Sequence, residues 1–168
     1  MPRFRTIVAA IDFSDSAADA LDAAVALATD VGSQLHLLHV VPSAVPPVWT
    51  DEPPPLDLRT VEQARVEGAL TQLETLAASR SLDPPRFTTA AVVGAPGSEI
   101  LRYAEEHRAD VIVLGSHGHG LVRRFLLGSV ADTLVRQAPC AVLVVPHHTL
   151  RPAPPAPSAA DVPALSQE

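Results

Sequence analysis

Three glycines within six residues, Gly115, Gly118 and Gly120, lead out of the apolar run Asp110–Leu114, and a Gly128-Ser129 pair follows. Glycine makes an ordered backbone cost more conformational entropy, so this density at one strand end calls for a sharp turn or a close approach. Main-chain amides with no β-carbon in front of them suit the oxygens of a phosphate. Ser129-Val-Ala-Asp132 has capping-box spacing and predicts a helix that starts with Ser129 as its cap. Such a helix start offers unsatisfied N–H groups and about half a positive charge, and the Ser129 hydroxyl is expected to reach a phosphate oxygen as well. Asp12 closes another apolar run, Thr6–Ile11. A carboxylate there would accept from ribose hydroxyls or partner a metal ion.

The spacing is neither of the two best-known phosphate motifs. No Lys-Ser/Thr pair follows the glycines, and a dinucleotide fingerprint belongs after the first strand. All twelve basic residues are arginine. Phosphate charge must then be met by amides, by a helix dipole, by Mg²⁺, or by Arg123 and Arg124. Fast phosphoryl transfer uses a well-placed cation on the transferred group, so binding with slow or no hydrolysis is favoured over an efficient ATPase. His117 and His119 form an H-x-H pair, but a metal centre needs further ligands and none is evident nearby. Their amides are assigned to the loop. His36 and His39 fall in an apolar run and are expected to be satisfied beside a sheet, and Cys140 is expected to be structural.

These residues need a scaffold, and the chain's periodicity supplies one. Thr6–Ile11, Gln34–Val41, Arg86–Val93, Asp110–Leu114 and Cys140–Val145 read as buried strands. Helical spacing separates them. Ser14 is the expected N-cap and Gly32 the C-cap of the first helix. A second helix runs from about Asp57 to Ser79, with Val66, Ala69, Leu70, Leu73, Leu76 and Ala77 on its apolar face and Gly68 as a weak point. Gly94 ends the third strand, Pro96 opens the third helix, and Ser129 opens the fourth. The β-α-β-α-β-α-β-α-β order implies an α/β fold, a doubly wound five-stranded parallel sheet with helices on both faces. Pattern alone leaves two strand orders, Rossmann-like 3-2-1-4-5 and flavodoxin-like 2-1-3-4-5. The first makes strands 1 and 4 neighbours, so that Asp12 and the glycines share one crevice at the point where the order reverses.

At 168 residues and 47% hydrophobic content the chain suits one domain, with a core of Val, Leu, Ile and Ala because aromatics are scarce. A net charge of −7 argues against a nucleic-acid partner. A single cysteine excludes an internal disulfide and a zinc cluster. The opening residues turn acidic too soon for a signal peptide, and no run approaches a membrane span, so a cytoplasmic protein without membrane contact is expected. The proline-rich stretch 42–57 is expected to be a loop, and the Pro/Ala-rich tail 147–168 to be disordered. In the expected order strand 5 is an apolar edge, residues 141–146, that invites a homodimer.

Gly115-x₂-Gly118-x₉-Gly128-Ser129 resembles the nucleotide motif of the universal stress protein family, in its ATP-binding branch. Ile7–Ser14, Leu37–Val40, Gly94–Pro96 and Ala141–Pro146 resemble further stretches of that family, so the likeness covers about residues 3–146. It implies the 3-2-1-4-5 order and a dimer through strand 5. It also implies ATP, or a related ADP or AMP, in the crevice, with Mg²⁺ as a possible companion. By the same resemblance, main-chain atoms near Ala10 and Val40 hold the adenine and Asp12 faces the nucleoside. Gly115, Ser116, His117, Gly118, His119, Gly120 and Leu121, with Gly128, Ser129, Val130 and Ala131, hold the ribose and phosphates. Ala10 departs from a proline common in the family, a change that a main-chain contact survives. The implied role is a dimeric stress-response or signalling module. The alternatives are a slow Mg-dependent nucleotide hydrolase and a nucleotide-free, chaperone-like interaction module.

Overall fold

The computed structural model describes residues 4–43, 58–82, 86–116 and 127–146. Along these the elements alternate: β1 (Thr6–Ala10), α1 (Asp15–Val31), β2 (Gln34–Val41), α2 (Leu58–Ser79), β3 (Phe87–Val93), α3 (Pro96–Glu106), β4 (Val111–Gly115), α4 (Ser129–Gln137) and β5 (Ala141–Val145). All four strand pairings are parallel and the order is β3-β2-β1-β4-β5. The flavodoxin-like order is therefore excluded, and β1 and β4 lie side by side in register from Ile7↔Val111 to Ala10↔Leu114.

Strand alternation divides the core into two layers. Ile7 and Ala9 of β1 face one way, with Leu21 and Ala24 of α1 and Leu73 and Ala77 of α2. Val8 faces the other, with Ile100 and Tyr103 of α3 and Leu134 of α4. Leu21, Leu73 and Leu134 are wholly buried, each contributing about 1.5–3 kcal/mol of transfer free energy. The α2 face is as the spacing predicts, with Ala69, Leu73 and Ala77 buried.

The ends of α1 follow their local chemistry. Ser14 caps it, its Oγ accepting from the Ala17 N–H at 3.2 Å. Gly32 stops it at φ 70°, where its N–H reaches the Ala28 carbonyl. The start of α4 does not follow the prediction. Gly128 occupies the N-cap position with no side-chain cap bond, and Ser129 is the first helical residue. Capping-box spacing fails here because the chain enters the helix one residue earlier than Ser129 would require. Asp110 contributes something the sequence did not signal. Its Oδ2 accepts from the N–H groups of Arg5 (2.6 Å) and Thr6 (3.0 Å), tying the start of β1 to that of β4.

Candidate functional site

A cavity of about 280 Å³ opens where β1 and β4 end, close to the lower range of small-molecule sites. Among the residues singled out from sequence, Ala10, Asp12, Val40, Gly115, Ser116, Gly128, Ser129, Val130 and Ala131 line it together. His117, Gly118, His119, Gly120 and Leu121, like Arg123 and Arg124, lie outside the described residues. The sequence missed the apolar wall made by Ile11, Ala17, Leu38, Pro96, Ile100 and Leu114. No motif marks such residues. Their signal is their position at strand ends and near the starts of α1 and α3.

The floor of the cavity carries a main-chain edge. The β1–β2 register ends at Ala10↔Leu38, and the Ile11 N–H bonds the Leu38 carbonyl at 2.8 Å. The Val41 carbonyl turns the other way, accepting from Gly94 N–H at 3.0 Å on the β3 side. Peptide groups alternate along a strand, so those of Val40 face the β1 side beyond the last β1 pairing. A planar heterocycle lying there between Ala10, Val40 and Ile100 would meet apolar walls and one N–H and C=O pair.

At the other end of the cavity stands the N-terminus of α4. The Asp132 N–H is the first to bond within the helix, to the Gly128 carbonyl at 2.8 Å. The N–H groups of Ser129, Val130 and Ala131 precede it, have no acceptor inside the helix, and carry the positive end of its dipole. Two amides expected to face a ligand are used by the protein itself. The Ser116 N–H donates to the Val145 carbonyl and the Gly128 N–H to the Ser116 carbonyl, both at 2.9 Å. Gly115 also has an internal reason to lack a side chain. A β-carbon there would collide with Ser16 Oγ and stand 2.8 Å from the Ser16 backbone. The crossing of α1 over β4 by itself requires that glycine.

Asp12 is the one charged side chain among the described residues lining the cavity. Its Oδ1 accepts from the Ser14 N–H (3.0 Å) and hydroxyl (2.5 Å), which fixes the turn between β1 and α1. Phe13, between them, has φ 63°, a left-handed conformation uncommon for a bulky residue. No cluster of metal-ligating side chains occurs among the described residues. His36 is buried with Nδ1 3.0 Å from the Tyr103 hydroxyl, and the His39 Nδ1–H donates to the Ile11 carbonyl at 2.7 Å, so both histidines are satisfied beside the sheet. Burial, and then the charge of Asp110, pushes the Cys140 thiol up from its ordinary pKa, away from thiolate reactivity. No helix of the described residues is long and apolar enough to cross a membrane.

Comparison with known proteins places residues 3–146 under the model of the universal stress protein family. A universal stress protein of Thermus aquaticus is 34% identical over 146 residues, covering 84% of this chain and 98% of the relative. The structure of a universal stress protein from Lactobacillus plantarum superimposes with a TM-score of 0.70 at 31% identity, over 86% of this chain and 99% of the other. A universal stress protein solved in complex with cAMP shares the fold, with a TM-score of 0.63 at 24% identity, over 88% of this chain and all of the other.

Proposed function

The chain belongs to the universal stress protein family, and from that premise we propose that it binds an adenine nucleotide, ATP in the first instance, in the cavity between the ends of β1 and β4. One observation carries this reading. An apolar wall with a main-chain edge at Val40, the Asp12 carboxylate and the N-terminus of α4 converge on a single cavity. The three parts match the three parts of a nucleotide. The wall suits a purine ring, the carboxylate suits ribose hydroxyls, and the helix start suits phosphate. A family member solved with cAMP supports the ligand class.

Among the described lining residues the only formal charge is negative. A triphosphate there is served by helix amides, by Arg123 and Arg124 of the glycine-rich sequence stretch, or by Mg²⁺ brought with the nucleotide. For Mg²⁺ the chain offers Asp12 and the Ser129 hydroxyl, hard oxygen donors of the kind that ion takes. The protein's part is to bind, to orient the base against Val40 and to hold the phosphates at α4. It acts as a cytoplasmic homodimer joined through β5, reporting nucleotide level to a partner. Slow hydrolysis is the second reading, and Asp12 with Ser129 would be its residues.

The direct test is the mass and absorbance of any small molecule released when the purified protein is denatured, followed by calorimetry with ATP and Mg²⁺. Gly118→Val is expected to abolish binding while leaving the fold, because it sets a branched side chain where the loop should meet phosphate. Equal affinity in this variant and the parent would remove the phosphate cradle from the proposal.

A further inference from the structure

We propose that His39 is a positioning residue for the nucleotide site, acting through its bond to the Ile11 carbonyl, with its ring against Phe13, to hold Asp12 toward the cavity; this rests on the nucleotide-binding reading above. His39 lies on β2, on the layer that faces α1, and its side chain does not line the cavity. It touches the β1–α1 turn at two points. Its Nδ1–H donates at 2.7 Å to the carbonyl of Ile11, the residue before Asp12. Its ring lies 4.6 Å from that of Phe13, the residue after Asp12, tilted by 38°. Asp12 is thus held from both chain neighbours by one imidazole.

Phe13 explains why such a hold is needed. A left-handed φ of 63° is disfavoured for an aromatic residue, and such a conformation persists only where surrounding contacts over-determine it. Here the contacts are the His39 ring and the apolar layer of α1 and α2, against which Phe13 is partly buried. The left-handed step reverses the chain between Ile11 and Ser14. That step lets the Asp12 carboxylate cap the Ser14 amide while the residue still lines the cavity. Without the clamp, Phe13 relaxes toward ordinary φ and the carboxylate swings with it.

The two contacts can be separated by substitution. His39→Asn puts an amide nitrogen where Nδ1 stands, keeping the bond to Ile11 without the ring; His39→Phe keeps a ring without the donor. Calorimetry with ATP and Mg²⁺, beside melting curves, tests the idea. His39→Ala is expected to bind about tenfold more weakly, the scale of one neutral hydrogen bond's ordering. His39→Asn is expected to recover most of that loss, and His39→Phe, which keeps only the ring against Phe13, little of it. A structural role alone would lower the melting temperature in all three variants and leave affinity unmoved. Full affinity in His39→Ala, or affinity in His39→Asn no better than in His39→Ala, overturns the positioning role while leaving the nucleotide reading intact. A parent that binds no adenine nucleotide overturns both.

Discussion

Single side chains decide the most local behaviour of this protein, and His36 gives a pH dependence. It is buried, 3.0 Å from the Tyr103 hydroxyl and 5.2 Å between ring centres from His107, which itself stacks on Tyr103 at 3.9 Å. Burial first, and then the charge of His107, hold its pKa below the ordinary 6.5. Between the lowered folded value and the ordinary unfolded one, the unfolded chain binds the extra proton. The stability from a neutral His36 is therefore complete above about pH 6.5 and is lost as pH falls below it. Melting temperature should fall more steeply between about pH 7.5 and about pH 5 in the parent than in His36→Gln, which cannot take up that proton. Parallel curves would show that His36 does not titrate in this window. At this scale the sequence is a partial guide. Ser14 and Gly32 do what their types suggest, because each acts through its own neighbours. Gly115, Phe13 and Asp110 owe their roles to contacts with Ser16, His39 and Arg5, which lie far from each glycine, ring or carboxylate along the chain. Ser129 shows the opposite failure, a good local pattern displaced by one residue when the chain entered the helix at Gly128.

Elements are where sequence and structure agree most closely, because the central strands of a parallel sheet covered on both faces are written as largely apolar runs, as in Thr6–Ala10 and Val111–Gly115. Boundaries shift by a residue or so, as with β4, which runs Val111–Gly115. The strand order is not legible from pattern, since both candidate orders use the same alternation; the choice comes from where Asp12 and the glycines have to meet. Helix α2 carries the clearest element-scale prediction. Gly68 lies in its interior, exposed, and a β-carbon there meets nothing within 4 Å. The helix bears the entropy of that glycine without using its freedom. Gly68→Ala should stabilise the protein by about 1 kcal/mol, and raise the melting temperature by about 2–4 °C for a chain of this size. No gain, measured by thermal unfolding at neutral pH, would mean that the middle of α2 is not helical in solution. Gly94 makes the contrast. Its φ is 155° and a β-carbon would meet Glu99 at 2.6 Å, so the same exchange there is expected to destabilise.

At the scale of the whole molecule the β5 edge matters most, because every residue from Ala141 to Val145 is apolar and nothing pairs with its outer side among the described residues. An apolar edge of this kind is a template for another strand. Leu143 on β5 and Val135 on α4 remain 40% and 55% exposed, so apolar surface accompanies the unpaired backbone. The directions of the peptide groups make the test specific. The Ala141 N–H bonds the Asp110 carbonyl and the Val145 carbonyl accepts from Ser116, so residues 141, 143 and 145 face β4. By alternation the N–H groups of Val142 and Val144 point outward. Val142→Pro deletes one outward N–H and no bond to β4, a place where an edge strand tolerates proline. If two copies join edge to edge, sedimentation velocity at micromolar concentration should show a dimer for the parent and a shift toward monomer for Val142→Pro, with ATP affinity in the cavity largely retained. The separation matters for function, because the proposed nucleotide site draws on one chain while the proposed signal is read from a pair. A parent that sediments as a monomer would leave nucleotide binding untouched and would move any partner contact onto the exposed β5 edge itself.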